Sequence, residues 1–387
     1  MSKIFNISIL AFFIGLSSCT ERGEVENNFS LAAPETHSLK PTGTYSLILD
    51  SSTTPLVRSL NISEENGAEK IVFLNHFTKH IYYYNLNTGK ILRIINLQLA
   101  ASKGLTNPIA IYARSSDSIF VQDNNNHLFL TDASGDVKKK YDISPFQDSL
   151  RITLRTAEAS FPMEIFTGNI PFLIDGSLYL TGVMDESFKT VSIDQTKLLI
   201  RLDLNTARTS YTFNYPKSYS KTLWTIYFRM PSKTYNENKM IFVFSLPNDP
   251  FVYSLSINNS ITEKKYAGSK LFGNIKAFPP NKDNSNDYTQ KNEYFFSSPN
   301  YSTILYDKFR KVYYRFAYTP NKLKTPQKNL SIIILDNNLK RLGEYELKET
   351  KKYNPMLSFV SKEGLNIAKK DQNEDILQFQ TFKPFKL

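Results

Sequence analysis

Short β-rich segments separated by polar turns dominate this sequence. Three of them follow each other closely, at residues 70–75, 80–85 and 90–97. Each is rich in β-branched and aromatic residues, which favour strands over helices. The tetrapeptide Leu-Asn-Thr-Gly at 86–89 separates the second and third segments, and its glycine suits a turn position with a positive φ. The pattern predicts an antiparallel meander of strands joined by tight turns.

The same pattern of strand ends recurs along the chain. An apolar strand ends in Asp, Asn or Ser, and a short turn then leads into a more polar strand. The repeated positions are Asn85, Asp132, Asp203, Ser254 and Asp336. The shorter intervals between them match the about 40 to 50 residues of a four-stranded propeller blade, and the longer intervals leave room for inserted loops. We therefore divide the chain into six units, at 64–104, 105–146, 165–216, 221–268, 290–348 and 353–387.

The predicted fold is an all-β, six-bladed β-propeller, with seven blades as a weaker alternative. Neighbouring blades bury both faces of inner strands, which explains continuously apolar segments such as 240–244 and 332–335. The last unit lacks one strand, and we expect the isolated strand at 45–49 to complete it and close the ring. Glycine is scarce at 14 residues, and neither a Trp-Asp blade signature nor a kelch double glycine occurs. The other alternative is therefore two β-sandwich domains with a break near 145–165.

Two segments do not fit the strand pattern. Leucine and alanine recur at helical intervals in 147–160, which predicts one short helix. Residues 276–293 contain two prolines followed by a run of Asp, Asn and Ser, which predicts a long polar loop. Long loops on a propeller face commonly carry binding residues, although a tolerated insertion explains the segment equally well.

The only cysteine, Cys19, lies directly after an apolar N-terminal segment. Lys3 precedes this segment, which is too short to form a stable transmembrane helix. The residues at 16–19, Leu-Ser-Ser-Cys, resemble a bacterial lipobox. We therefore expect a lipoprotein signal peptide at 1–18, an acylated Cys19 at the start of a flexible tether at 19–43, and a propeller domain at 44–387. A plain secretory signal and an uncleaved anchor are the alternatives.

The lipobox also determines where we expect the protein to work. Fatty-acyl chains such as palmitate on Cys19 would anchor the mature chain, because one chain binds a membrane marginally and two or more bind it stably. Thr20 follows the cysteine where Asp would retain a lipoprotein at the inner membrane, which favours the outer membrane. Acidic residues at 21, 24 and 26 only loosely resemble a surface-export signal. We expect a cell-envelope lipoprotein, facing either the periplasm or the cell surface.

The chain is basic, with a formal net charge of +11. Its lysines are scattered, and the densest run, at 138–140, falls near a strand end. Lysines at such positions are solvated and protect sheet edges from pairing with other chains. Because no DNA- or RNA-reading motif accompanies the charge, we expect no nucleic-acid partner.

The sequence gives little support for catalysis. It contains no Gly-x-Ser-x-Gly nucleophile elbow and no glycine-rich phosphate loop. His76 and His80 are four residues apart, but they flank a turn between strands, where this spacing does not indicate a zinc site. Asp175, Asp185 and Glu186 are loop carboxylates of the kind that glycoside hydrolases use. We predict no catalytic residue, no metal site and no cofactor.

Aromatic residues give the positive indication of function. Trp224, Tyr227 and Arg229 lie close together before a Met-Pro pair, and Tyr219 lies just upstream. Tryptophan, tyrosine and arginine carry much of the binding energy at protein interfaces, so these four residues are our candidate ligand-binding site. The alternative is that they form core between the third and fourth blades.

As a whole the chain resembles an uncharacterised family of Gram-negative lipoproteins with a β-propeller-like body. The resemblance rests on the lipobox at 16–19 and on strands that end in turns such as Tyr-Asn-Leu-Asn-Thr-Gly at 84–89. It covers most of the mature chain. It implies a fold and a location, and it transfers no activity.

We therefore expect a membrane-anchored, non-catalytic binding or scaffold module for a glycan, a peptide or an envelope protein. The alternatives are a propeller-fold glycoside hydrolase or lyase, and a purely structural subunit of an envelope complex. Clustered carboxylates or histidines in the propeller channel would favour the enzyme. An aromatic-rimmed face without perturbed titratable groups would favour binding, and a broad apolar patch would favour the structural subunit.

Overall fold

A computed structural model describes residues 34–144, 160–184, 193–220, 224–258, 261–279, 288–321, 327–370 and 373–387. The first half of this part of the chain contains strands β1 (His37–Ile48), β2 (Leu60–Glu65), β3 (Ala68–Asn75), β4 (His80–Asn85), β5 (Ile91–Asn96), β6 (Pro108–Ser115), β7 (Ser118–Asp123), β8 (His127–Thr131), β9 (Val137–Asp142), β10 (Phe161–Pro162), β11 (Phe172–Ile174), β12 (Ser177–Val183), β13 (Lys197–Asp203) and β14 (Thr209–Asn214).

The second half contains strands β15 (Ser232–Asn236), β16 (Ile241–Ser245), β17 (Phe251–Ser256), β18 (Thr262–Tyr266), β19 (Asn300–Asp307), β20 (Val312–Pro320), β21 (Lys328–Asp336), β22 (Arg341–Glu346), β23 (Tyr353–Ser361), β24 (Gly364–Lys369) and β25 (Ile376–Lys386). Two α-helices are described, α1 (Ile226–Arg229) and α2 (Tyr288–Ser297). No helix in these ranges has the length and apolar character needed to cross a membrane.

The strands form six antiparallel sheets, which are the blades of a β-propeller. Blades 1 to 5 take their strands in chain order: β2–β5, β6–β9, β10–β14, β15–β18 and β19–β22. Blade 6 has the strand order β1-β25-β24-β23, so the N-terminal strand completes the last blade and closes the ring. The six-bladed prediction and the predicted ring closure are both confirmed, and the two-sandwich alternative is wrong.

The first strand begins earlier than the sequence predicts. Strand β1 starts at His37, eight residues before the predicted Tyr45, and His37 pairs with Lys386 of β25. The last part of the predicted tether at 19–43 is therefore sheet, and the propeller begins before residue 44. These residues are polar and mostly exposed, as suits an edge strand, and Leu39 is the buried exception. Pairing with β25, and not local hydrophobicity, makes this segment a strand.

Hydrogen bonds made by side chains at the strand ends explain why Asp and Asn recur there. The Oδ1 atoms of Asn85, Asp132, Asp203 and Asp336 each accept the backbone N–H two residues later, at 2.8 to 3.0 Å. Such Asx turns start the connection after a strand. A residue with a positive φ follows three or four positions after the Asx residue, and it is glycine in two of the turns (Gly89, Gly135) and not glycine in the other two (Ala207, Leu339). Ser254 is the exception, because it lies inside β17 and pairs with Val243 and Glu263.

Turns with few glycines account for the low glycine content that the sequence shows. Ten non-glycine residues in the described ranges adopt a positive φ: Asn66, Lys79, Asn126, Asp175, Ala207, Phe213, Met240, Lys311, Leu339 and Glu349. Most of them lie between two strands of one blade. The propeller thus accepts moderate backbone strain in positions where glycine is the usual solution.

The hydrophobic core lies between neighbouring blades. Ile332 and Ile334 belong to the cluster shared by blades 5 and 6, whereas Ile333 and Leu335 belong to the cluster shared by blades 4 and 5. All four side chains have a relative exposure of 0%. This packing is why the strand is apolar at consecutive positions and does not alternate.

The predicted polar loop at 276–293 is wrong in its last part. Helix α2 begins at Tyr288, and its aromatic side chains pack on the core at Phe228, with ring centroids 5.2 Å away for Tyr294 and 5.6 Å for Phe295. These contacts with α1 hold the helix, although its sequence has little apolar periodicity. The predicted helix at 147–160 lies outside the described residues, apart from Ser160.

Candidate functional site

Three of the four aromatic-site candidates are core residues. Tyr219 has a relative exposure of 1%, Trp224 of 4% and Arg229 of 9%. Tyr219 and Trp224 belong to the hydrophobic cluster between blades 3 and 4, with ring centroids 6.0 Å apart. The structure therefore supports the core interpretation for these residues, because none of them presents an open surface to a ligand.

Hydrogen bonds hold this aromatic core together. The Tyr219 hydroxyl donates to the Phe228 carbonyl at 2.7 Å, and Arg229 Nε donates to the Trp224 carbonyl at 2.7 Å. The Tyr215 hydroxyl donates to the Arg229 carbonyl at 2.5 Å. Burial raises the pKa of both tyrosines, so both remain neutral and act as donors. These hydrogen bonds tie Tyr215 and Tyr219 to the backbone of helix α1.

Tyr227 is the remaining candidate and the exposed one, with 36% of its surface accessible. Its ring lies 4.8 Å from that of Phe295 on helix α2. Tyr227 and Phe228 are adjacent in sequence but differ in environment, because α1 turns one outward and the other into the core. Through Phe295, Tyr227 contacts the wall of a pocket that the sequence did not reveal.

This pocket lies between blades 5 and 6, beside the start of their innermost strands, β19 and β23, and we call it the blade 5–6 pocket. Its volume is about 340 Å³, within the range of small-molecule sites. It is lined by Phe295, Phe296, Asn300, Ser302, Tyr318, Gln327, Lys328, Thr350, Tyr353, Asn354, Pro355, Met356 and Lys370. Aromatic rings and aliphatic groups form most of the wall, and Met356 is 56% exposed.

Irregular strand pairing opens the pocket. In β23 the register passes from Asn354 directly to Ser358, so that Pro355 and Met356 bulge out of the sheet. In β19 the register passes from Tyr301 to Ile304, which displaces Ser302. Bulges redirect side chains and often occur beside binding sites. Here both bulged strands border the same pocket.

Lys328 is the buried charge of the pocket, with a relative exposure of 8%. Its Nζ donates to Asn300 Oδ1 at 2.5 Å and lies 3.8 Å from the centroid of the Phe295 ring. Burial in this apolar environment lowers its pKa to about 7. No carboxylate among the described residues forms an ion pair with it within 4.0 Å.

Two features of the sequence point to this pocket, but neither stands out from the strand pattern around it. Phe295 and Phe296 follow a polar segment, where aromatic residues need a partner. Pro355 interrupts a strand-like segment, and proline inside a strand indicates a bulge or an edge. Neither signal shows that the two segments meet, because that depends on the packing of blade 5 against blade 6.

The central channel is a weaker candidate site than the blade 5–6 pocket. It contains a cavity of about 190 Å³ lined largely by apolar residues, and its charged lining residues are Glu237 and Lys308. Lys308 Nζ lies 2.8 Å from Glu64 Oε2, an ion pair that joins blades 5 and 1. The described lining of this cavity thus contains no pair of carboxylates, which is the feature that would favour glycosidase chemistry.

The remaining candidates for chemistry do not form a metal site in the described part of the chain. In the ranges that the structure covers, no three His, Cys, Asp or Glu side chains are arranged to hold a metal ion. Burial, with nearby Arg58 and Lys79, lowers the pKa of His76 to about 4. Asp175 occupies the turn between β11 and β12. Cys19, Asp185 and Glu186 lie outside the described residues.

A third cavity, of about 460 Å³, lies at the seam between blades 6 and 1. Its lining is polar and includes Glu69, Lys362, Glu363 and Lys383. These charges are already satisfied internally: Lys383 pairs with Glu363 at 3.0 Å, and Glu69 accepts the backbone N–H of Lys362 at 3.2 Å. The blade 5–6 pocket is therefore the stronger candidate site.

Comparison with known proteins agrees with the fold. A member of the DUF4221 family from Bacteroides vulgatus superposes with a TM-score of 0.76 at 22% sequence identity, over 91% of this chain and 99% of that chain. A candidate exported protein from Bacteroides fragilis superposes with a TM-score of 0.55 at 12% identity, over 89% of this chain and 95% of that chain. No curated protein matches the chain.

The family model described as "Domain of unknown function (DUF4221)" matches residues 38–346. The matched range runs from the start of β1 to the end of β22, and so includes the ring-closing strand and five complete blades. The expected resemblance to an uncharacterised bacterial family with a propeller body is confirmed. The chain belongs to the DUF4221 family.

Proposed function

We propose that the protein is an outer-membrane lipoprotein, anchored through acylated Cys19, whose propeller binds an envelope component without catalysing a reaction. The component is a glycan, a peptide or an envelope protein that reaches the blade 5–6 pocket. The lipobox at 16–19 supports the anchor. The candidate exported protein from Bacteroides fragilis, which is similar in fold, supports a location outside the cytoplasm.

One observation carries the binding role, and it is the composition of the blade 5–6 pocket. Phe295, Phe296, Tyr353 and Met356 provide an apolar surface that opens to solvent between two rigid blades. Such a surface gains free energy when a ligand covers it, at about 25 cal/mol for each Å² of apolar area removed from water. Bulges, and not flexible loops, hold Met356 in place, so a ligand meets a preformed surface.

Capture from envelope membranes tests this proposal. The acylated protein would be incubated with detergent-solubilised membranes, and the captured proteins and glycans would be quantified. Met356→Asp places a charge at the pocket rim, and Ile261→Asp is the matched control, because the two residues are 56% and 57% exposed. We expect at least one component to be captured by the native protein and by the control, and to fall at least fivefold with Met356→Asp. Equal capture by the two variants, or no specific capture by the native protein, would refute the pocket as the binding site.

The anchor is tested separately. Replacing Cys19 with Ser removes the acylation site and leaves the propeller unchanged. We expect the native protein in the membrane fraction of a cell lysate and Cys19→Ser in the soluble fraction. Co-sedimentation of Cys19→Ser with the membranes would show that the lipobox does not anchor the protein.

A further inference from the structure

The charges around the blade 5–6 pocket are unbalanced. Among the described lining residues, Lys328 and Lys370 are charged, and none is an aspartate or a glutamate. Lys370 is exposed at the rim, whereas Lys328 is buried. A protein normally pairs a buried ammonium group with a carboxylate, because removing an isolated charge from water costs several kcal/mol. Here the observed partners of Lys328 are an amide oxygen and an aromatic ring.

We propose that the blade 5–6 pocket binds a carboxylate carried on an apolar body, with the carboxylate on Lys328 Nζ and the apolar body against Phe295, Tyr353 and Met356. The proposal rests on the proposed function and names the ligand class of the same site. An ammonium group has three donors, and one of them is used by Asn300 Oδ1. A ligand carboxylate would supply the missing acceptor and the missing counter-charge together.

The surroundings favour a single negative charge over a phosphate dianion. Phe295 lies in the last turn of helix α2, and the C-terminal end of a helix carries a partial negative charge. A carboxylate neutralises Lys328 and leaves little excess charge near this helix end. A dianion would leave excess negative charge there and would require more donors than one buried ammonium provides. A neutral ligand would fill the apolar wall but leave the ammonium without a counter-charge.

The protonation of Lys328 provides an independent readout. Its pKa of about 7 means that part of the free protein carries a neutral amine near neutral pH. A bound carboxylate favours the ammonium form, so binding above pH 7 must take up a proton. Burial raises the pKa of Tyr318 and of Tyr353, so both stay neutral between pH 6 and 9. Other described charged groups in or beside the lining are Lys370 at the rim, Lys291 and Glu293 on helix α2, and Glu349 and Lys352, which both act on the pKa of Tyr353.

Isothermal titration of the mature chain carrying Cys19→Ser, which needs no detergent, tests the proposal. The probes are N-acetyl-phenylalanine, which resembles a peptide C-terminus, and octanoate, which resembles a fatty acid, each compared with its neutral amide. We expect at least one acid to bind at least tenfold more tightly than its amide. We also expect its affinity to fall by more than about tenfold from pH 6 to pH 9, with proton uptake measured in buffers of different ionisation enthalpy. The acid that binds better identifies the source of the carboxylate.

Three variants separate a ligand contact from a structural role. Lys328→Met should abolish the preference for the acid over the amide. Asn300→Asp places a carboxylate beside Lys328 within the protein, so it should keep the fold and lose acid binding even if Lys328→Met folds poorly. Lys348→Met, an exposed lysine after β22, is the control and should bind as the native chain does.

The outcomes distinguish this proposal from the proposed function. If acids and amides bind equally, or if Asn300→Asp binds acids normally, the carboxylate preference is refuted while the pocket remains a binding site. A ligand at about 10 mM fills about 90% of a site whose Kd is about 1 mM. If neither probe binds at this concentration, the ligand class is refuted. The capture experiment with Met356→Asp then decides the proposed function by itself.

Discussion

Arg315 is a buried arginine whose removal should destabilise the junction between blades 4 and 5. It lies in β20, its relative exposure is 0%, and it is the largest fully buried side chain in the described ranges. Its guanidinium carbon lies 3.8 Å from the centroid of the Tyr301 ring. Burial lowers its pKa to about 10, which still leaves the group charged at neutral pH.

Every donor of this guanidinium group has a partner, and all the partners lie in or beside blade 4. Nε donates to Ser245 Oγ at 3.0 Å. The Nη1 and Nη2 atoms donate to four backbone carbonyls at 2.6 to 3.3 Å, those of Leu246, Asp249, Pro250 and Ala267. The arginine thus satisfies the backbone of the turn before β17 and of the chain leaving β18.

The carbonyl partners determine how much stability we expect Arg315→Met to lose. A buried ion pair is often replaced by apolar residues at little cost, because both charges are removed together. The carbonyl groups here belong to the backbone and remain after the substitution. The Leu246 and Pro250 carbonyls also accept the backbone N–H groups of Asp249 and Ala267, at 3.3 and 2.9 Å, so the substitution leaves the carbonyls of Asp249 and Ala267 without this donor. Each buried acceptor without a donor costs about 1 to 3 kcal/mol, and relief of the arginine's own desolvation offsets part of the sum. We expect a net loss of about 2 to 4 kcal/mol in the free energy of unfolding.

Urea unfolding measures this loss directly. Trp224 is the only tryptophan and is buried between blades 3 and 4, so its fluorescence reports on the neighbouring part of the ring. Arg208→Met, at an exposed position after β13, is the control and should change the stability by less than about 0.5 kcal/mol. A loss below 1 kcal/mol for Arg315→Met would refute the reasoning, because water or a small backbone shift would then replace the guanidinium group.

Three further predictions concern the ring closure and a buried lysine. Gly89→Ala should lower the free energy of unfolding by at least about 2 kcal/mol, because φ is 66° and a Cβ would lie 2.0 Å from the Ser46 carbonyl oxygen. Gly67→Ala is the control in the same urea assay and should cost about 1 kcal/mol, because its φ is 74° but its Cβ would meet open space. Leu39→Ala should lower the free energy of unfolding by about 2 to 5 kcal/mol, because Leu39 is 2% exposed. Lys40→Ala, at an exposed position, should change it very little. Equal values for the two variants would show that this segment is a tether and not a strand. Burial lowers the pKa of Lys233 to about 7, so between about pH 7 and 10 the unfolded chain binds more protons at this residue than the folded chain does, and Lys233 alone should make stability rise with pH by up to about 1.4 kcal/mol per unit. Lys233→Met should remove this contribution and leave the similar one of Lys328.

The fold could be predicted because its main signals are local. Asx turns at Asn85, Asp132 and Asp203 mark strand ends with residue types that the sequence displays directly. Continuous apolar strands such as β21 indicate burial on both faces. The start of β1 was missed because residues 37–44 are polar, and they form a strand by pairing with residues about 340 positions away. No local pattern contains that information.

The aromatic site could be located but its burial could not. Trp224, Tyr227 and Phe228 occupy one short segment of similar composition, and the structure buries two of them and exposes Tyr227. A helix of four residues has no periodic pattern long enough to indicate which side faces the core. Contacts with helix α2, from a segment more than sixty residues later, decide the orientation.

Deviations from the repeat explain why the site lies between blades 5 and 6. The innermost strands of blades 1 and 4 pair with their neighbours without a register shift, whereas that of blade 2 shifts twice, so a bulge alone does not make this pocket. A regular strand keeps its side chains packed against the next blade, which leaves no room for a ligand. In β19 and β23 the register shifts where the two strands border the pocket, and helix α2 adds Phe295 above Lys328. A buried ammonium group without an ion pair to a described carboxylate, and two bulges, all carry a folding cost without a gain in packing. A site at which three such costs coincide is best explained by ligand binding, and the carboxylate experiment tests that explanation where the costs are largest.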